Sequence, residues 1–574
     1  MAHFHVKKKK GRPYLYVREI ARVDGRPKVV SQIYIGSPDK VAALARGRLQ
    51  DDLQLKVEEF GALWLAQQMD RDIDLAGIVD GVIPRGRNEN GPTVGEYFLY
   101  CVWNRMIEAV SKRRLPQWYG RTAVQQIRPV AIDQLGSERY WQKWERVGQQ
   151  QIDEISCRFF ARLWEIEQPD ADCLLFDTTN YYTFMAGRTE SDLAIRGHNK
   201  AGRHQLRQIG LGLLVARQSR LPLFYRTYAG NLHDSRLFAE VMQQMFTTVG
   251  DLQRTKQRLT VVVDKGMNSQ ENFLWLDDHP RMHFVTTYSP HYVEEVMSAP
   301  LDRFAPLELP RNSQLAAAGR SEDRMLAYRT SGEYWGRQRT VVVTYNPPTA
   351  RKQAFTFEQK LDRIRDELLA MRAKVRQQQP QWRDPEAIWE RYFRLCEQLH
   401  IGSDLYDLEF TDRDGELMMG FRKDAYRVGR RQDRFGKTVI ITDNSDWTTS
   451  EIVAASLDRW QVEDRFRQSK NNDLVGAQPV RHWTDGKIRC HFFSCVAAMT
   501  YLRRLELRLE AAGIKRSAAD VMDDMRHLHS VLMLPAGARK PRRRLETPSK
   551  TQAEVLSALG WRIDRSGVLQ EIDR

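Results

Sequence analysis

Apolar and polar positions alternate through residues 14–35 and are interrupted at Asp24-Gly25. A period of two around such a dipeptide predicts a β-hairpin. From residue 41 to about 168 the apolar positions recur every three to four residues, around Val41–Leu49, Phe60–Met69 and Val94–Val110, which predicts mostly helix. The pattern then shortens. LLFD at 174–177 and LTVVVD at 259–264 are apolar runs closed by an aspartate and read as short buried strands. Residues 209–217, 221–230 and 283–288 read as further strands. Helices are expected over 233–246, with Asp234 as N-cap, and over 270–278. Strands and helices mixed in this way predict an α/β domain.

Residues 300–437 break that rhythm. Strands at 339–345 and 417–421 flank a helical stretch in which Leu361, Ile364, Leu368, Met371 and Val375 fall on one face, read as a helical hairpin inserted between two parts of one domain. A strand follows at 438–444, then helices from about Ser450 to Lys470 and from about Thr484 to Ala512. The expected organisation is a β-hairpin unit (1–40), a helical region (41–168), an α/β domain in two parts (169–299 and 438–512) around the insertion (300–437), and a tail (513–574) with a basic Pro-rich linker at 535–549.

Composition narrows the partner. Lys and Arg number 89 against 74 acidic residues, a net charge of +15, with clusters at Lys7–Lys10, Lys112–Arg114, Arg427–Arg434 and Arg539–Arg544. Clustered cations suit phosphate contacts, where each neutralised phosphate releases counterions. Double-stranded DNA is the expected partner, with the helical region 41–168 expected to bind it. The 6 cysteines form no Cys-x-x-Cys pair and are expected as small buried thiols. No apolar run resembles a secretory signal or a spanning helix, so a cytoplasmic location and no membrane partner are expected.

Asp177 and Asp264 close the two apolar runs, where carboxylates commonly face a crevice in open α/β sheets. Farther on, Arg459, Glu463 and Lys470 fall on one stripe of a predicted helix bordered by Trp460, Val462 and Phe466. A surface salt-bridge ladder has the same layout. Three converging carboxylates in a basic protein make a hard-oxygen site suited to Mg²⁺. Two such ions can activate water or a 3′-hydroxyl and stabilise the leaving oxygen of an in-line displacement. Arg459 and Lys470 are candidates for flanking phosphates, as is Lys265 beside the second aspartate.

These residues carry a resemblance. The spacing Arg459-x3-Glu463-x6-Lys470 is similar to the Tyr-x2-Arg-x3-Glu-x6-Lys motif of the DDE transposases of bacterial insertion sequences, with Ser456 at the tyrosine position. FDTTNYYTF, GNLHDSRLF and VVVDKGM resemble the blocks around that family's first two aspartates, over roughly residues 170–290 and 438–500. The resemblance implies an RNase H-like catalytic fold with a β-rich insertion, and Asp177, Asp264 and Glu463 as ligands of two Mg²⁺ ions, with Mn²⁺ as a substitute. It also implies cutting at terminal inverted repeats and joining to target DNA by a homodimer holding both ends. An aromatic near the insertion, Trp447 or Phe435, would stack on a flipped base, although packing explains either ring as well. Two other readings stay open: a catalytically silent DNA-binding protein descended from a transposase, and a nuclease of the same fold that never joins strands.

Overall fold

The alternating N-terminal segment forms a three-stranded antiparallel sheet of Ala2–Lys9 (β1), Arg12–Val23 (β2) and Arg26–Gly36 (β3), in that order. β2 and β3 are the expected hairpin, with Val23 opposite Arg26. The lysine run is partly β1 itself, a strand whose apolar content is too low to read locally. Lysines on an edge strand discourage pairing with further chains. The structure, a computed structural model, describes all residues except 1, 10–11, 24–25, 37–53, 171, 186–188, 198–201, 233–237, 245–258, 280, 290–292, 414, 535–541 and 573–574. The Asp24-Gly25 turn, the Asp234 cap and the first part of the basic linker therefore lie outside the described residues; 238–244 is helical.

Residues 41–53, and with them the expected Val41–Leu49 helix, lie outside the described residues; from Gln54 the region begins with a strand, Gln54–Glu59 (β4), and then supplies helices Gly61–Asp70, Leu75–Val82, Val94–Ile107 and Gln149–Glu167. Val94–Ile107 starts with a capping box between Thr93 and Glu96 and is buried nearly all round. A helix apolar on every side belongs inside a core. It packs against helix Asp485–Ala511, equally enclosed, through the ring pair Phe98 and Phe493.

The central sheet is mixed. Cys173–Thr183 (β5), Arg207–Ala216 (β7) and Pro222–Ala229 (β8) form an antiparallel meander, with the short Ile195–Arg196 (β6) on the edge of β7; Leu259–Val263 (β9) runs parallel to β5, and Met282–Tyr288 (β10) runs parallel to β9. β5 does not stop at Asp177, as its apolar run suggested. It continues to Thr183 because residues 177–183 pair with β7.

The sheet then extends beyond β10. Ala305–Pro306 (β11), Leu326–Tyr334 (β12) and Arg337–Tyr345 (β13) join it. Tyr406–Arg413 (β14) and Glu416–Lys423 (β15) form a separate hairpin, while Lys437–Thr442 (β16) lies between β13 and β10. The block expected at 300–437 is thus divided. Its first strands belong to the main sheet, and a second core, from Phe357 to Val428 with Phe435 packed on it, gathers helices Pro347–Arg376 and Pro385–Leu399 with the β14–β15 hairpin. Leu361, Ile364, Leu368, Met371 and Val375 are buried in that core, so their spacing marks a helix packed inside it.

The tail contributes His529–Leu534 (β17) and Arg542–Leu545 (β18), which pair with β4 in the order β18-β17-β4. Part of the expected linker is therefore a strand. Five cysteines are buried, but Cys157 is exposed, a departure from the expected six buried thiols. Among the described residues no helix is long and apolar enough to cross a membrane.

Candidate active site

β9 and β5 are in parallel register, with Leu174 opposite Val261 and Leu175 opposite Val262. Carrying that register two residues on sets Asp177 level with Asp264. β9 ends at Val263, and a 3-10 turn, Lys265–Met267, takes the chain away, so Asp264 stands at the carboxyl edge. β5 runs on past this edge, supported on its other side by β7, and carries Asp177 at the same level. The two aspartates reach one crevice for reasons of pairing.

The third carboxylate arrives on a helix. A capping box between Thr448 and Glu451 starts helix Thr449–Leu457; a second helix, Trp460–Ser469, follows after Asp458 and Arg459. The continuous helix expected from about Ser450 to Lys470 is therefore two. Asp458 at the break is held by Arg217, Nε to Oδ2 2.7 Å. Arg459 turns inward from the break: its Nη1 lies 3.2 Å from Asp177 Oδ2 and 3.5 Å from Asp264 Oδ1, and its Nη2 lies 3.1 Å from Glu463 Oε1. One guanidinium touches all three acids.

Alternation along β5 places Asp177, Thr179 and Tyr181 on one face. Lys470 Nζ donates to Thr179 Oγ1 at 2.8 Å and lies 5.1 Å from the Tyr181 ring, while the Tyr181 hydroxyl meets Ser469 Oγ at 2.5 Å. These contacts fix the end of the Glu463 helix against the strand carrying Asp177. Sequence reasoning missed Thr179 and Ser469; the period-two face beginning at Asp177 was the signal that pointed to Thr179.

Burial raises the Asp177 carboxyl from its ordinary 3.8 to about 6, against the Arg459 charge and the Thr178 backbone N–H, which pull it down; the Asp264 and Glu463 charges push it up further. A folded-state pKa above the unfolded one means this side chain favours the fold while protonated, and loses that contribution as pH rises through about 6. Asp177→Asn removes the burdened charge and leaves Arg459 with two acids. In thermal melts without divalent ions the variant should be more stable than wild type by roughly 2–3 kcal/mol at neutral pH. The gain should shrink once pH falls below about 6. A gain independent of pH would contradict this account.

The acids, Arg459 and Lys470 line a cleft of about 970 Å³, with Thr178, Thr179 and Asn471 also on its walls. The model of the transposase DDE domain matches residues 173–500, more than half of the chain. The chain belongs to the DDE transposase family. A comparison with curated proteins gives no match. Seven solved chains match; one of them, in the cryo-EM structure of the piggyBac transposase synaptic complex with hairpin DNA, is 9% identical over 82% of each chain, with a TM-score of 0.39.

The remaining expected residues of this DDE transposase lie elsewhere. Lys265 is exposed on the turn after Asp264 and does not line the cleft. The Trp447 ring packs, half-buried, against the main core, and its carbonyl accepts from Arg329 Nη1 at 2.8 Å. Phe435 meets Phe357 edge-on, ring centroids 5.3 Å apart, at the second core. Packing accounts for both rings. Among the described residues no three His, Cys, Asp or Glu side chains are disposed to hold one ion directly; in the transposase cleft the cation between the acids is Arg459.

Proposed function

We propose that this chain is a transposase that cuts DNA at terminal inverted repeats and joins the 3′ ends to target DNA, using Asp177, Asp264 and Glu463. The observation that carries the reading is the meeting of these three carboxylates, from β5, the end of β9 and a helix, around one positive charge. The antiparallel meander followed by two parallel strands supports an RNase H-like catalytic domain. The donors fit Mg²⁺, with Mn²⁺ as a substitute: all are hard oxygens, and they already surround a cation. When bound, two such ions supply activation of the attacking hydroxyl and stabilisation of the leaving oxygen.

The chain's own residues do the rest. Asp177 is paired in β5 and Asp264 directly follows the paired strand β9, so strand pairing sets their placement before substrate arrives. Glu463 is the most open of the three, with its side chain 53% exposed against 13% for Asp177, and adjusts on its helix. Arg459 balances the acids in the present arrangement; once that charge is supplied from outside, its guanidinium is available to a DNA phosphate. Lys470, seated on Thr179 beside the acids, offers a second phosphate contact. Lys265 lies outside the cleft, on the turn beyond Asp264, as a contact for DNA leaving it. A homodimer on two transposon ends completes the reading.

The test follows cutting of intact ends and strand transfer of pre-cut ends, both taken from the DNA flanking the gene, with a target plasmid and Mg²⁺. Wild type should join the ends. Glu463→Gln should neither cut nor join while still binding the end DNA. Joining by Glu463→Gln at the wild-type rate would overturn the assignment, and cutting without joining by wild type would leave a nuclease.

A further inference from the structure

Beside the catalytic cleft lies a larger one of about 1230 Å³, and Asn471, directly after Lys470, lines both. Its wall is built from the 3-10 turn Lys112–Arg114, the loop 471–482 and the exposed ring of Trp141. The loop is firmly held. Arg105, buried, donates through Nη1 to the Val475 and Gly476 carbonyls and lies 3.0 Å from His491 Nδ1 through Nη2. Gly476 takes a positive φ of 56° with Ala109 close by, where an added Cβ would come within 2.9 Å of the Ala109 Cβ. Lys112 is also used internally, 3.2 Å from His482 Nε2 and stacked 4.2 Å over Trp144.

The neighbouring arginines are not used this way. Arg113, Arg114 and Arg481 are exposed, and among the described residues no acid lies within ion-pair distance of them. The acids on the cleft are Glu108, which is taken up by Arg526 at 2.6 Å, Asp473 on the same loop as Arg481, and Asp520 and Asp523 of helix Ala518–Arg526. Three unpaired guanidinium groups and an exposed indole on a rigid wall, continuous with the catalytic cleft, match what a DNA backbone requires.

We infer that Arg113, Arg114 and Arg481 form a sequence-independent seat for the phosphates of duplex DNA running from the catalytic carboxylates across Asn471. The inference rests on the transposase reading but names a surface that cutting alone does not reveal. The phosphates carry the negative charge these arginines lack, and the seat adds affinity without reading bases.

Binding is measured without divalent ions on two unrelated duplexes of about 40 base pairs, across a salt series. Three lost phosphate contacts should make the slope of log K against log salt shallower by roughly 2.7. In about 0.1 M salt Arg113→Gln/Arg114→Gln/Arg481→Gln should bind both duplexes roughly a hundredfold more weakly. Its melting curve should overlay wild type, because all three side chains are exposed. An unchanged slope in a wild type that binds would overturn the seat and leave the catalytic reading to the Glu463→Gln assay. An equal loss in Arg363→Gln/Arg372→Gln/Arg376→Gln, on the exposed face of helix Pro347–Arg376, would show that bulk charge alone matters and would also overturn it. No binding by wild type to either duplex would end both readings.

Discussion

Asp264→Asn is expected to abolish Mg²⁺-dependent cutting and joining while leaving the fold intact. Asparagine keeps the shape at the end of β9, and Arg459 retains Asp177 at 3.2 Å and Glu463 at 3.1 Å. What is lost is one of the three carboxylates proposed as metal donors, directly after the parallel strand β9. Residues that only support a metal ligand typically cost about 10–100-fold when changed, so loss of a direct donor should exceed about 100-fold. Mn²⁺ affinity, followed by paramagnetic resonance, should fall alongside the rate. Asp264→Asn/Glu463→Gln should be no worse than either single change, because the acids act as one unit. A single variant within tenfold of wild type would remove Asp264 from the site.

Much of that site was legible in the chain. Two apolar runs ending in aspartate announce two strands, and charged residues bordered by Trp460, Val462 and Phe466 mark a helix half-turned to a core. The parts that were not legible depend on distant pairing. The stretch Thr178–Thr183 carries β-favouring Thr and Tyr but no apolar run to extend the strand beyond Asp177; its pairing with β7 does so. Neither Gly nor Pro marks the break at Asp458 and Arg459, where Arg217, from the end of β7, holds Asp458. That break matters chemically, since it turns Arg459 toward the acids. β4 finds its partner β17 near the far end of the chain, beyond the reach of any periodicity window.

The largest expected loss of stability follows Arg504→Met. Arg504 is fully buried on helix Asp485–Ala511; its Nε lies 2.5 Å from Glu167 Oε1, at the end of helix Gln149–Glu167, and its Nη1 donates to the Met69 carbonyl. It ties helices Gly61–Asp70 and Gln149–Glu167 to helix Asp485–Ala511. Methionine fills the space but leaves Glu167, largely enclosed, as an uncompensated charge. Removing one partner of a buried pair typically costs about 3–5 kcal/mol. Chemical denaturation should show a loss of that order, and Arg504→Met/Glu167→Gln should recover part of it. A change under about 1 kcal/mol would mean the pair is dispensable.

β13 and β16 are neighbours in the sheet, with Tyr345 opposite Lys437. The second core therefore leaves and re-enters the domain at adjacent points, as a loop does between the arms of a hairpin. Such a geometry makes the excursion modular: its size and content can change, or be exchanged between relatives, without disturbing the strand that carries either aspartate.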